Sequence, residues 1–220
     1  MQRTPLIQVL GAIAYGEWKA YEGAKGRETD ATDDAERVAM RKVAAEELRH
    51  HKGFVRRLEA LGADPERAMA PYRSSLDAYH GREAATPLEE AVWGYLGEGI
   101  ADDLLTWLRK VVDDDTAEFV DSVIADEEEH EALATQRLLA LIDEHPDGRA
   151  EAGRAVRTML VRMAGSGGTA TPRFGAFLRL GRGHELLAAL TLGWTRRLRV
   201  LGLSPVGLPS LLPTRSRRAA

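Results

Sequence analysis

The residues with chemistry to offer fall in two stretches eighty positions apart. Ala45–Leu61 reads AEELRHHKGFVRRLEAL, and Ala125–Leu141 reads ADEEEHEALATQRLLAL. Laid in register, Glu47 matches Glu127 and His50 matches His130, and further on Arg57-Leu58 matches Arg137-Leu138. Each stretch therefore holds one Glu-x-x-His. Upstream, Gly16-Glu17 matches Gly97-Glu98, so a lone glutamate precedes the motif by 30 residues in one copy and by 29 in the other. Residues i and i+3 share a helix face, so the Glu and His of each motif can converge on one ion. Four carboxylates neutralise two divalent ions, and two imidazoles complete the set. An oxygen-rich donor set with two His suits iron or manganese better than the softer-ligand metals. The spacing predicts a dinuclear site held by Glu17, Glu47, His50, Glu98, Glu127 and His130.

The faces carry the same expectation. Glu17 falls on the apolar stripe of Leu6, Leu10, Ile13, Ala14 and Tyr21, and Glu47 and His50 on that of Val43, Phe54, Leu58 and Leu61. Glu98 falls with Ala91, Tyr95 and Leu105, and Glu127 and His130 with Val120, Val123, Ala134 and Leu141. Six ionisable groups would then face a core, which is costly unless positive charge sits among them. Glu22, Glu46 and Glu128 are rotated off these stripes. Two further residues stand one turn beyond a ligand. Asp102, at i+4 from Glu98, could accept a ring N–H from a ligating His, and Tyr21, at i+4 from Glu17, could hydrogen-bond a carboxylate. The plainer alternatives are a partly exposed aspartate and an ordinary core tyrosine. His51, His80, His145 and His184 read as surface residues, and the four tryptophans as packing.

Helical periodicity dominates the elements that must position these groups. A first helix carries Glu17, with Gly26 as its expected stop. A second runs from about Ala35 to Leu61 and ends at Gly62. Thr86-Pro87-Leu88-Glu89 has the form of a capping box opening a third helix, which runs to about Val112. A fourth runs from about Thr116 to Ile142. Short polar loops join the first two helices and the last two, which predicts two antiparallel hairpins. Roughly 25 residues separate the hairpins, with weak periodicity, and fit a crossover travelling the length of a bundle. The expectation is an all-α four-helix bundle with a long crossover between its second and third helices, plus additional C-terminal helices. The bundle would occupy 1–147, a helical extension packing on it 148–202, and a disordered basic tail 203–220. The segment "GSGGTATP" reads as a hinge.

Composition narrows the functions. The chain of 220 residues has no cysteine, which excludes disulfides, thiolate zinc sites, iron–sulfur clusters and a cysteine nucleophile. The N-terminus does not read as a signal peptide and no run is long and apolar enough to span a membrane, so the expected location is cytoplasmic with no membrane partner. The net charge of −4 hides an asymmetry. Residues 149–220 carry 13 Arg, no Lys and two Glu, which leaves 1–148 strongly acidic.

On these motifs the chain resembles the ferritin-like di-iron superfamily. More narrowly, "AYGEWKAYE", "AAEELRHHKGF", "DPERAMAPYRSSLDAYH", "YLGEGIADDL" and "ADEEEHEAL" resemble the tRNA-(2-methylthio-N6-isopentenyl-adenosine)-hydroxylase family and its uncharacterised bacterial relatives. The resemblance covers about residues 5–145, and "LGWTRRLRVLGL" also looks like a terminal helix of those relatives. It implies a non-haem di-iron monooxygenase with two iron ions (manganese is allowed), O2 as co-substrate and an external electron donor. Carried over by motif, the iron ligands are Glu17, Glu47, His50, Glu98, Glu127 and His130. The Arg-rich C-terminal part could hold tRNA phosphates, or be an arginine-biased solvated helix and tail. Two other functions stay open: an iron-handling or peroxide-removing ferritin-like protein, and a binding protein that kept the fold without turnover. The sequence fixes no oligomeric state, and a dimer is allowed.

Overall fold

The structure, a computed structural model, describes residues 3–165 and 175–207. The "GSGGTATP" segment lies almost wholly outside them, as do residues 208–220 of the basic tail. Among the described residues the regular structure is helical and no strand forms. The helices are α1 (Arg3–Asp30), α2 (Asp34–Ala60), α3 (Pro65–His80), α4 (Pro87–Leu108), α5 (Asp114–Asp143), α6 (Gly148–Gly165) and α7 (Gly183–Val200). Residues 175–180 are also helical. The chain divides into two compact units that alternate along the sequence, and one of the boundaries falls inside α5, between Asp126 and Glu127.

The first unit is built from α1, α2, α3 and the start of α5. α1 runs through Gly26 to Asp30, because a single glycine costs a helix only about 1 kcal/mol and tertiary packing outweighs it. Asp33 then caps α2 by accepting from the Glu36 amide at 2.8 Å. Arg41 reaches back to Glu28 at 2.8 Å, tying the two helices beside their turn. Ala24, Met40, Val43 and Ala44 form a small core between them, with Tyr21 packed against it. α2 stops at Gly62, whose φ of 64° is left-handed, and the Ala63 amide returns to the Leu58 carbonyl at 3.0 Å.

The crossover is not irregular throughout. Asp64 accepts from the amides of Glu66 (2.9 Å) and Arg67 (3.3 Å), and Pro65 stands at the first helical position, so "DPER" opens α3. α3 lies along α1: Tyr15 donates to Asp77 at 2.7 Å, Arg73 sits over the Tyr15 ring, and Ala68 abuts Gly11. It is amphipathic, and the face it buries is Ala68, Met69 and Tyr72.

The second unit holds α4, the remainder of α5, α6 and α7. The expected cap of α4 forms. The Glu89 amide donates to Thr86 Oγ1 at 3.1 Å, and the Glu89 carboxylate accepts from the Ala85 amide at 2.7 Å, one residue earlier than in the usual box. Trp93 is 1% exposed, donates to the Ala155 carbonyl at 3.0 Å and so fixes α6 on α4, while Arg162 lies over its ring. After α7 the chain turns back, with Leu201 and Leu203 buried and Trp194 donating to the Pro205 carbonyl at 2.9 Å.

Candidate metal centre

The hairpin of α1 and α2 brings Glu17, Glu47 and His50 together. All three are buried, and each offers a ligand atom within 4.8 Å of the others. His50 Nδ1 lies 3.6 Å from Glu17 Oε2 and 3.6 Å from Glu47 Oε2. That is too long for a good hydrogen bond. It is the spacing of neighbouring donors around a shared ion, since two ligands at about 2.1 Å from a metal stand about 3.0–3.6 Å apart. Two buried carboxylates side by side repel unless positive charge lies between them. The donor set therefore fits a divalent ion, and its oxygen-rich character fits iron or manganese.

The other ring nitrogen is also placed. His50 Nε2 lies 2.9 Å from Asp126 Oδ2, on α5. An ionised aspartate only accepts, so Nε2 carries the hydrogen and Nδ1 presents its lone pair toward the two glutamates. Burial by itself would raise the Asp126 pKa; the hydrogen bonds from His50 and Arg49 outweigh it and hold the carboxyl below the ordinary aspartate value.

Sequence reasoning passed over Asp126. The signal available was the repeat itself, because Asp126 and Glu46 are the acids that directly precede the two Glu-x-x-His motifs. Tyr21 packs in the α1–α2 core and lies tilted against Trp18 at 5.2 Å between centroids. Trp18 in turn lies 5.3 Å from the His51 ring, whose Nδ1 meets the Ala14 carbonyl at 2.8 Å.

The second unit carries the other copy. His130 Nδ1 faces Glu127 Oε2 at 3.3 Å on α5, the same nitrogen turned to the same relative partner as in His50 and Glu47. Glu127, His130 and Glu98 are partly buried. Asp102, one turn beyond Glu98, lies against a guanidinium: its Oδ2 is 3.4 Å from Arg197 Nη2. Burial, and then the Glu127 charge, push the Asp102 carboxyl up to about 8 even though Arg197 opposes the shift. The neighbouring Asp103 accepts from Arg197 Nη1 at 2.8 Å. His145 and His184 are exposed, as is Glu128.

Helices and site together define an all-α protein with a buried carboxylate–histidine cluster able to hold metal. The family described as "Ferritin-like domain, actinomycetes" matches residues 2–161, and the chain belongs to it. Its fold is thus an all-α ferritin-like bundle, and its candidate metal site is of the di-iron type. No curated protein shows significant similarity to the chain. Among the described residues no helix is long and apolar enough to cross a membrane.

Proposed function

We propose that the protein is a di-iron, or di-manganese, carboxylate oxidoreductase, and specifically an O2-dependent hydroxylase. One observation carries the reading: His50 turns Nδ1 to Glu17 and Glu47 and gives Nε2 to Asp126, and His130 turns the same nitrogen to Glu127. In this reading Glu17, Glu47 and His50 join Glu98, Glu127 and His130 around two ions. Bound metals would activate O2, with two electrons from an external donor, so that one oxygen atom enters the C–H bond and the other leaves as water.

The chain's own residues do the rest. The glutamates balance the charge of the ions, and Asp126 keeps His50 in its ligating tautomer. Ala14, one turn before Glu17, and Phe54, one turn after His50, are fully buried, so the helix faces that carry these ligands are apolar on either side of them. A substrate in tRNA is supported by the motif resemblance and by the arginine excess of residues 149–220. Not every arginine there is available to phosphate. Arg197 is buried among carboxylates, whereas Arg154, Arg162 and Arg199 are exposed.

The test is to load the full chain anaerobically with Fe(II), count the metal, and mix with O2 in a stopped-flow spectrometer. Two ions per chain and a transient visible absorption are expected. Metal uptake far above two per chain points to iron handling, and no absorption change rules out the hydroxylase. Modified nucleosides in tRNA from a deletion strain then test the substrate.

A further inference from the structure

We propose that Arg197 is a positioning residue for the metal ligands of the second hairpin, so that the C-terminal helix α7 is a working part of the metal centre. The proposal rests on the reading of Glu98, Glu127 and His130 as ligands. It concerns a residue outside the segment that the ferritin-like family matches, residues 2–161.

Arg197 is 2% exposed, one of the largest fully buried side chains of the protein. Its guanidinium meets three carboxylates at once. Nη1 donates to Asp103 Oδ2 at 2.8 Å, Nη2 faces Asp102 Oδ2 at 3.4 Å and Glu131 Oε2 at 3.3 Å, and Nε lies 3.3 Å from Glu131 Oε1. Asp102 and Asp103 belong to α4 and Glu131 to α5, so one planar fork from α7 ties both ligand-bearing helices. Asp102 stands one turn beyond Glu98, and Glu131 directly follows His130. The contacts thus act on the helical turns that present the ligands.

The backbone is shaped for this side chain. A Cβ on Gly99, the residue after Glu98, would lie 2.1 Å from Arg197 Nε, and a Cβ on Gly193, one turn before Arg197, would lie 2.0 Å from Asp103 Oδ2. Two glycines therefore clear the room that the guanidinium and its aspartate occupy.

Electrostatics gives the reason. With Glu98 and Glu127, the three carboxylates on Arg197 make five acids on α4 and α5 near one another. Like charges that close in a partly buried setting drive helices apart. Arg197 offsets the acids that bind no metal and leaves the ligands to the ions. A contact that merely docked α7 would need one carboxylate on one helix; three carboxylates on two helices fix their spacing.

The experiment uses the full chain as wild type, Arg197→Met, Arg197→Lys and, as a control that removes an exposed charge from the same helix, Arg199→Met. Mn2+ binding is measured by equilibrium dialysis with elemental analysis. Visible spectra of the Co2+-loaded proteins report coordination, and far-UV circular dichroism reports folding. The wild type and Arg199→Met are expected to bind two ions per chain. Arg197→Met is expected to keep one and to weaken the second about tenfold or more, with changed Co2+ bands and full helicity. Arg197→Lys keeps the charge without the fork and is expected to lose about threefold. Wild-type affinity with an unchanged spectrum in either Arg197 variant overturns the proposal. If the Met variant does not fold, the Lys variant decides by the same criterion. A wild type that binds no metal overturns the metal reading itself, and this proposal with it.

Discussion

Asp126 holds His50 by its Nε2 at 2.9 Å, and the orientation of the imidazole follows from that bond. The imidazole is left with Nδ1 directed at Glu17 and Glu47, as ligation requires. Asp126→Asn would set an amide where the ring N–H needs an anionic acceptor. The expected outcome is a loss of metal affinity of about 10–100-fold with the helices intact. Equilibrium dialysis against Mn2+ checks it, and wild-type affinity in the variant contradicts the role.

Glu47→Gln removes a charge that is buried beside another carboxylate. Without metal, the variant is expected to melt no lower than the wild type, because burying an ionised acid is costly. With metal the order reverses. At a free metal concentration 100 times Kd, the wild type gains about 2.7 kcal/mol, which is roughly 5–10 °C in a chain of this size. The variant gains far less. Thermal melts with EDTA and with Mn2+ measure both halves of the prediction.

The cap of α3 can be tested alone. Asp64 accepts from two amides at the start of the crossover helix. Asp64→Ala is expected to cost about 1 kcal/mol, or roughly 2–4 °C in melting temperature, without touching metal binding. An unchanged melt would show that the helix is held by its packing on α1 alone.

Asp113 predicts a pH dependence. Burial would raise its pKa, but hydrogen bonds from the Thr116 hydroxyl and amide and from Arg57 prevail and lower it. A carboxyl depressed in the folded state stabilises the fold above its unfolded value, near 3.9, and loses that contribution as pH falls through the folded value. Asp113→Asn can still cap α5 but cannot titrate. Its stability is expected to fall less steeply below about pH 4 than that of the wild type, as read from urea midpoints across the acid range.

The sequence was most legible where one chemistry repeats at one spacing. Glu17, Glu47 and His50 lie on apolar faces, which predicted their burial, and the structure buries all three. The helix boundaries follow caps that can be read directly, such as Thr86 and Gly62. The crossover helix was less visible because it buries only three residues, although "DPER" carries a recognisable start. Asp126 was hidden by a criterion that looked only for residues on the stripe, while an acid that orients a histidine from a neighbouring helix sits at its edge. Arg197 had no local signal at all. It is one of 13 arginines in its region, and its burial depends on carboxylates at positions 102, 103 and 131, far away along the chain.

Helix α1 has α2 along one flank and α3 along another, with Arg3 also bonded to the Leu61 carbonyl and Lys19 3.6 Å from Asp77. Local opening is rarest where a segment has neighbours on several sides and little exposed backbone. The amides around Glu17 should then be among the slowest in the first unit to exchange with deuterium. The strip of α1 that carries Glu17 would then hold its place when an ion leaves the cluster.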